Sequence, residues 1–189
     1  TSLAGKASAL KRSLQITHTH VWDIFVRTFH WSLVVLFAAN ALFIDDESAI
    51  HQWIGYAVVG LVVARIVWGF VGTRYARFSS FPPSVGAAIA QAHEMTDSTA
   101  KPHVGHTPLG AWMIYNLLLA MLLIGLTGHM MTIDAFWGAE WTEELHELAV
   151  TWAEVSVVLH IAAVIFESRR THVNLPRAMV TGYKDLPSE

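Results

Sequence analysis

No cysteine occurs anywhere in this 189-residue chain. Its absence excludes disulfides, thiolate-held iron–sulfur clusters, zinc ribbons and the covalent Cys-x-x-Cys-His attachment of a c-type haem. Charge is scarce as well: Asp, Glu, Lys and Arg together make 14% of the residues, where a soluble domain carries roughly a quarter. The net charge of −3 shows no basic excess, and no nucleic-acid partner is expected. What remains is apolar and imidazole-rich, with 53% hydrophobic residues, eight tryptophans and eleven histidines. Histidine chemistry inside a lipid bilayer is the first expectation.

Four stretches are long and apolar enough to span, at about 21–44, 50–71, 109–133 and 145–166. Segment 1–15 is polar and basic, without the apolar run of a signal peptide, so the first span is expected to be a retained helix. No internal repeat is visible. The expected fold is all-α: an integral membrane four-helix bundle over 21–170, flanked by a cytoplasmic N-terminal segment, 1–20, and a cytoplasmic tail, 171–189.

Lys and Arg set the expected orientation. Lys6, Lys11 and Arg12 precede the first span, Arg74, Arg77 and Lys101 lie in the central loop, and Arg169, Arg170, Arg177 and Lys184 follow the last span. The two other connections, around Asp45, Asp46 and Glu47 and from Asp134 to Glu144, hold acids and no Lys or Arg. The positive-inside rule then places both termini and the long central loop in the cytoplasm of a multi-pass membrane protein. Trp137 and Trp141 suit an interfacial aromatic belt.

His146 and His160 are fourteen residues apart on the fourth span. Fourteen steps of ~100° come within about 40° of whole turns and rise about 21 Å, most of a ~30 Å hydrocarbon layer. Both imidazoles therefore share a face, one toward each leaflet. His30 lies in the cytoplasmic half of the first span and His51 opens the second at the outer side. Two pairs at two depths follow: His30 with His160 on an inner haem iron, and His51 with His146 on an outer one. The competing reading of each is a packed or interfacial histidine.

The surroundings suit flat macrocycles. Ala149, Ala153 and Val157 leave small side chains between the two ligands of the fourth span, and Gly55 sits one turn from His51. Arg65, fourteen residues after His51, is expected to meet a propionate of the inner haem, with Arg27 sharing the task; snorkelling to the surface is the alternative for Arg65.

Segments VWDIFVRTFHW, HQWIGYAVVGLVVARIVWGFVGTRYARF, GHTPLGAWM, LHELA, LHIAAVIFES and RAMVTGYK resemble the bacterial cytochrome b561 family, which includes the b-type subunit of membrane nickel–iron hydrogenases. The resemblance runs from Val21 to Lys184. It implies a four-helix bundle with two non-covalent b haems, passing electrons between a quinone, ubiquinone or menaquinone, and another partner. Its ligand positions fall on His30, His51, His146 and His160. One departure stands out: the family often has His-Asn-Pro-Leu-Gly where this chain has His106-Thr107-Pro108-Leu109-Gly110.

Among the remaining histidines, His18 and His20 are expected at the interface, with His20 a distant alternative ligand, and His93 and His103 in a solvated loop. His106 and His129 are candidates for a quinone or proton site, with structural roles such as helix capping as rivals. Glu154 is expected to be buried, either moving protons or bonding a neighbouring helix. The function expected is transmembrane electron transfer. Its non-quinone partner is a periplasmic c-type cytochrome, a hydrogenase or dehydrogenase subunit that this chain anchors, or superoxide, oxidised as quinone is reduced. A histidine-rich metal-ion transporter is the remote alternative, disfavoured because ligands ~21 Å apart form separate sites.

Overall fold

The computed structural model describes residues 16–95 and 103–187. The basic residues Lys6, Lys11, Arg12 and Lys101 therefore lie outside the described residues. In chain order the elements are β1 (Ile16–His20), α1 (Ile24–Leu42), α2 (Ala49–Val71), α3 (Val85–Glu94), α4 (Pro108–Met130), α5 (Glu140–Thr171), α6 (Leu175–Thr181) and β2 (Tyr183–Pro187), with short 3-10 turns at Phe78–Ser80 and Asp134–Phe136. Among the described residues, α1, α2, α4 and α5 are the four helices long and apolar enough to cross a membrane.

Local chemistry sets where these helices begin. Asp23, Ser48, Ser84 and Thr107 cap α1 to α4, each side chain accepting a backbone N–H of the first turn. Pro108 occupies the first turn of α4, where the missing N–H matters least. Helix α5 lacks a side-chain cap; Glu140 and Glu143 in its first turn and Arg169 and Arg170 in its last complement the helix dipole. Its 32 residues amount to ~48 Å at 1.5 Å per residue, well beyond the hydrocarbon thickness. That is why the expected span, 145–166, was too short: hydropathy falls at these charged turns while the helix continues. The acidic connection 134–144 is accordingly partly helical, from Glu140 onward.

A core of Val58, Val62, Leu118, Ala120, Met121 and Ala153 joins α2, α4 and α5, and Phe29, Leu33 and Phe37 of α1 pack against it. Close backbone approach is most extensive between α4 and α5, and it links α1 to α2 and α2 to α4. Helix α5 comes barely this close to α1 or α2. Apolar side chains such as Val35, Val67, Leu119 and Val158 face outward, as in a protein solvated by lipid.

Two features lie beyond the four expected helices. Helix α3 folds within the central loop, where Gln91 is buried and its carbonyl oxygen accepts the Leu109 N–H at 2.9 Å. At the same end of the bundle β1 and β2 pair antiparallel, with His18 opposite Asp185. Val21, Trp22 and Ala178 form a second small core beneath this hairpin. The flanks expected as separate segments thus pack onto the bundle, and the first and last described elements meet on one side of it.

Candidate functional site

The four histidines meet in two pairs. His30 of α1 faces His160 of α5 with ring centroids 6.5 Å apart, and His51 of α2 faces His146 of α5 at 6.4 Å. Each pair spans a helix gap that the backbones do not close. An imidazole nitrogen binds a metal at about 2 Å. Adding roughly 1 Å from each nitrogen to its ring centre, two imidazoles on opposite sides of one metal have centres about 6–6.5 Å apart. Both pairs match that spacing. Among the described residues no three His, Cys, Asp or Glu side chains converge on a common point, so the arrangement would suit a metal held between two imidazoles better than a tetrahedral ion cage.

Hydrogen bonding orients His146. Thr127 Oγ1 lies 2.7 Å from the Leu123 carbonyl oxygen and 3.0 Å from His146 Nδ1. A hydroxyl has one proton, and the carbonyl takes it, so the Thr127 oxygen accepts from Nδ1–H. The Nε2 lone pair of His146 is left free for a metal, a second-shell arrangement typical of histidine ligands. A Cβ on Gly128 would stand 3.1 Å from His146 Cε1, so glycine lets the ring lie against α4. A Cβ on Gly55 would meet nothing within 4 Å, leaving open space a turn below His51. Ala149 and Ala153 are buried, and Ala153 belongs to the core between the two levels, where a small side chain allows α5 to approach α4.

The other level is rich in cations. Arg65 is only 3% exposed; its Nη2 donates to the Ala76 carbonyl at 3.1 Å and its guanidinium lies 5.3 Å from the Phe78 ring centre. It does not reach the surface, which removes the snorkelling alternative. Its Nη1, like Arg27 Nε and the Nδ1 atoms of His30, His51 and His106, is buried without a hydrogen-bond partner among the described residues. Buried donors of this kind ask for an acceptor, and the unpaired N–H groups of Arg27, three residues before His30 on α1, and of Arg65 are the donor type that carboxylates of a haem would satisfy.

Around them sits a fixed polar frame. Asp23 Oδ2 accepts from Thr73 Oγ1 at 2.5 Å and from Trp68 Nε1 at 3.1 Å, tying the start of α1 to the end of α2. Burial alone would raise the Asp23 carboxyl; hydrogen bonds from Thr73, the Val26 N–H and Trp68 outweigh it and hold the group below the usual carboxylate range. His106 is sandwiched between Trp22 and Phe81, with centroids at 4.5 and 4.3 Å. Burial, reinforced by Lys184 and Arg65, pushes it down to about 3. The shift favours its neutral form, and the capping of α4 falls to Thr107, whose Oγ1 accepts the Gly110 N–H at 3.0 Å. Threonine in place of the family's asparagine keeps that role.

Lys184 was visible in the sequence only as one more basic residue. In the structure it is 4% exposed, donating to the carbonyls of His103 at 3.1 Å and Gly105 at 2.9 Å. Burial pushes its ammonium down to about 8, with Glu167 opposing. Thr127 was likewise not singled out by sequence; its partner is nineteen residues away on another helix.

The remaining candidates scatter. His20 lies in β1 against Tyr183, with centroids 5.0 Å apart, and His18 pairs with Asp185 at 2.6 Å. His93 and His103 are exposed. His129 is exposed on α4, its Nδ1 3.1 Å from the Tyr56 hydroxyl. Glu154 is not buried, contrary to expectation, but exposed on the outer face of α5. Eight residues from His146 turn it ~80° off the histidine face, which is far enough to leave the bundle interior.

The family model for prokaryotic cytochrome b561 matches residues 21–182. A probable Ni/Fe-hydrogenase B-type cytochrome subunit of Cupriavidus necator is 24% identical over 221 residues, covering 93% of this chain and 91% of its own length. No solved structure matches. The chain belongs to the prokaryotic cytochrome b561 family, a multi-pass membrane b-type cytochrome whose function is transmembrane electron transfer.

Proposed function

We propose that this cytochrome holds two b haems stacked across the membrane, and the observation that carries the reading is the pair of histidine pairs at one metal-compatible spacing on two levels. His30 and His160 would hold the iron at the level of the hairpin, and His51 and His146 the iron at the opposite level. Bound haem supplies one-electron exchange between ferric and ferrous iron, the chemistry no side chain here provides. The chain orients and insulates. Thr127 fixes the His146 tautomer, Arg27 and Arg65 offer N–H groups to propionates, and the core around Val58, Val62 and Ala153 excludes water between the levels. Gly55 leaves room beside the His51 pair.

The hairpin end faces the cytoplasm of a bacterial inner membrane, a reading supported under the positive-inside rule by the basic residues of the central loop and the segment after α5, Arg74, Arg77, Arg169, Arg170, Arg177 and Lys184. A quinone, ubiquinone or menaquinone, supplies or removes electrons from within the lipid, with His129 beside Tyr56 offering exposed hydrogen-bonding groups at the far level and neutral His106 at the near one. The second partner is a protein. The similarity to a hydrogenase cytochrome subunit favours an anchoring role in such a complex, and the outward acids Asp45, Asp46 and Glu47 suit a basic soluble partner such as a c-type cytochrome better than superoxide, an anion. Pyridine haemochrome analysis of the purified protein is expected to give about two haems per chain, both extractable by acidified acetone because no cysteine can bind them covalently. One haem or none would overturn the reading.

A further inference from the structure

The outward face of α5 carries a second pattern that electron transfer does not use. Thr151, Glu154, Val158, Ile161 and Ile165 are all exposed, and their spacing of three, four, three and four residues is the heptad seam of a coiled coil. Val158 is 66% exposed, Ile161 52% and Ile165 44%. Thr151, Val158 and Ile165 fall at equivalent positions, with Glu154 and Ile161 at the alternate ones, and a polar residue inside such a seam specifies register.

Two members of this seam are polar and sit where lipid would surround them. Glu154 lies eight residues after His146 and six before His160, near the middle of the span. Other polar side chains at this depth are satisfied within the bundle: Asn116 Nδ2 donates to Ser156 Oγ at 2.8 Å and Trp152 Nε1 to Asn116 Oδ1 at 2.9 Å. Thr151 and Glu154 have no hydrogen-bond partner among the described residues. Ionisable side chains in a membrane span almost always face a protein interior or a partner. They lie three residues apart on one helix, so the face presents a donor and an acceptor side by side. A face of this kind is complementary to itself: under a two-fold axis along the membrane normal, each Thr151 hydroxyl can donate to the other copy's Glu154, twice over.

We propose that this seam of α5 is the contact with a second copy of the chain, a parallel α5–α5 pair locked in register by reciprocal Thr151–Glu154 hydrogen bonds. The proposal does not depend on the number of haems. Because all copies insert with the same topology, the pairing is parallel, as the seam requires. The histidine face of α5 turns inward to α1 and α2, so pairing leaves the electron-transfer site undisturbed.

The absence of cysteine makes the test clean. Single variants Val158→Cys and Ile165→Cys, reconstituted in phosphatidylcholine vesicles and mildly oxidised, should form disulfide-linked homodimers, whereas Leu159→Cys on α5 and Val67→Cys on α2 should not. Adding Glu154→Leu or Thr151→Ala to Val158→Cys should weaken association about tenfold, the scale of interhelical hydrogen bonds in membranes. The two together should do no more than either alone, and Glu154→Gln, which still accepts, should retain most of it. The visible haem spectrum of each variant reports folding, so loss of dimer with an intact spectrum is informative. Equal cross-linking at Val158→Cys and Leu159→Cys, or monomer throughout, overturns the proposal. So does cross-linking that forms only to a co-expressed partner subunit. Yields unaffected by Glu154→Leu overturn the hydrogen-bonded register.

Discussion

The two histidine levels are alike in geometry and unlike in electrostatics. The hairpin end of the bundle, toward which His30 and His160 lie, carries two guanidinium groups with unpaired N–H bonds, a buried ammonium and the Asp23 frame. At the far end, His51 and His146 have a threonine hydroxyl, an asparagine whose Nδ2 reaches the His51 carbonyl at 3.4 Å, and glycine. Equal ring spacing with unequal charge separates binding from tuning. On the proposed reading the histidines would hold each haem, and the surrounding charges would set how readily it accepts an electron. Cations favour the reduced state, so the hairpin-side haem is expected to have the higher midpoint potential and electrons to settle there.

The largest effect should come from the ligands themselves. His51→Ala and His146→Ala should each abolish the same, lower-potential component in a redox titration and about halve the haem content, while His30→Ala and His160→Ala remove the other. Loss of one shared component by His30→Ala and His51→Ala would break the two-level comparison outright.

Arg65→Gln should act next. A unit charge at roughly 10 Å and an effective dielectric constant of 20 is worth about 1.7 kcal/mol, or about 70 mV for one electron. The hairpin-side potential should fall by that order and the other stay within a few mV, as a titration of the variant would show. Thr127→Val should loosen the far haem about tenfold by freeing His146 to rotate, with Thr127→Ser restoring it. Haem retention against an apo-globin competitor measures this, and equal loss from both levels would argue for general destabilisation.

The smallest expected effect is a pH step. Lys184 sits at about 8 in the folded protein against an ordinary 10.5. As pH rises through 8 the folded protein sheds this cation while the unfolded chain keeps it to about 10.5. Lys184 therefore penalises folding below pH 8, and the penalty is relieved as pH rises from about 8 toward 10.5. The hairpin-side potential should drop across pH 8, by less than for Arg65→Gln, and Lys184→Met should remove the step. His106, pushed to about 3, should add no step near neutrality.

The spans and the haem-ligand candidates were legible because they are local arithmetic: apolar run length gives the helices, and a fourteen-residue interval gives a shared face. The same arithmetic failed for Glu154, since hydropathy says that a residue is in the membrane and not which side of the helix meets a neighbour. Thr127 and Lys184 were illegible for another reason. Each acts through a partner on a distant element, His146 in one case and the carbonyls of His103 and Gly105 in the other. Helix α3 and the hairpin were missed because short elements that fold only against the bundle carry little periodicity of their own.

The hairpin also sets an order of events in time. His18 and Asp185 are 167 residues apart, and a ribosome adding roughly 5–20 residues per second needs about ten to thirty seconds to make that stretch. Through that interval the helices can enter the bilayer, but β2, and with it Lys184, does not yet exist. The hairpin end of the bundle is the last part to close, and the far level is complete as soon as α5 has emerged past His146. A newly made molecule thus finishes the His51–His146 end first and seals the cation-rich one only when the second strand of the hairpin arrives.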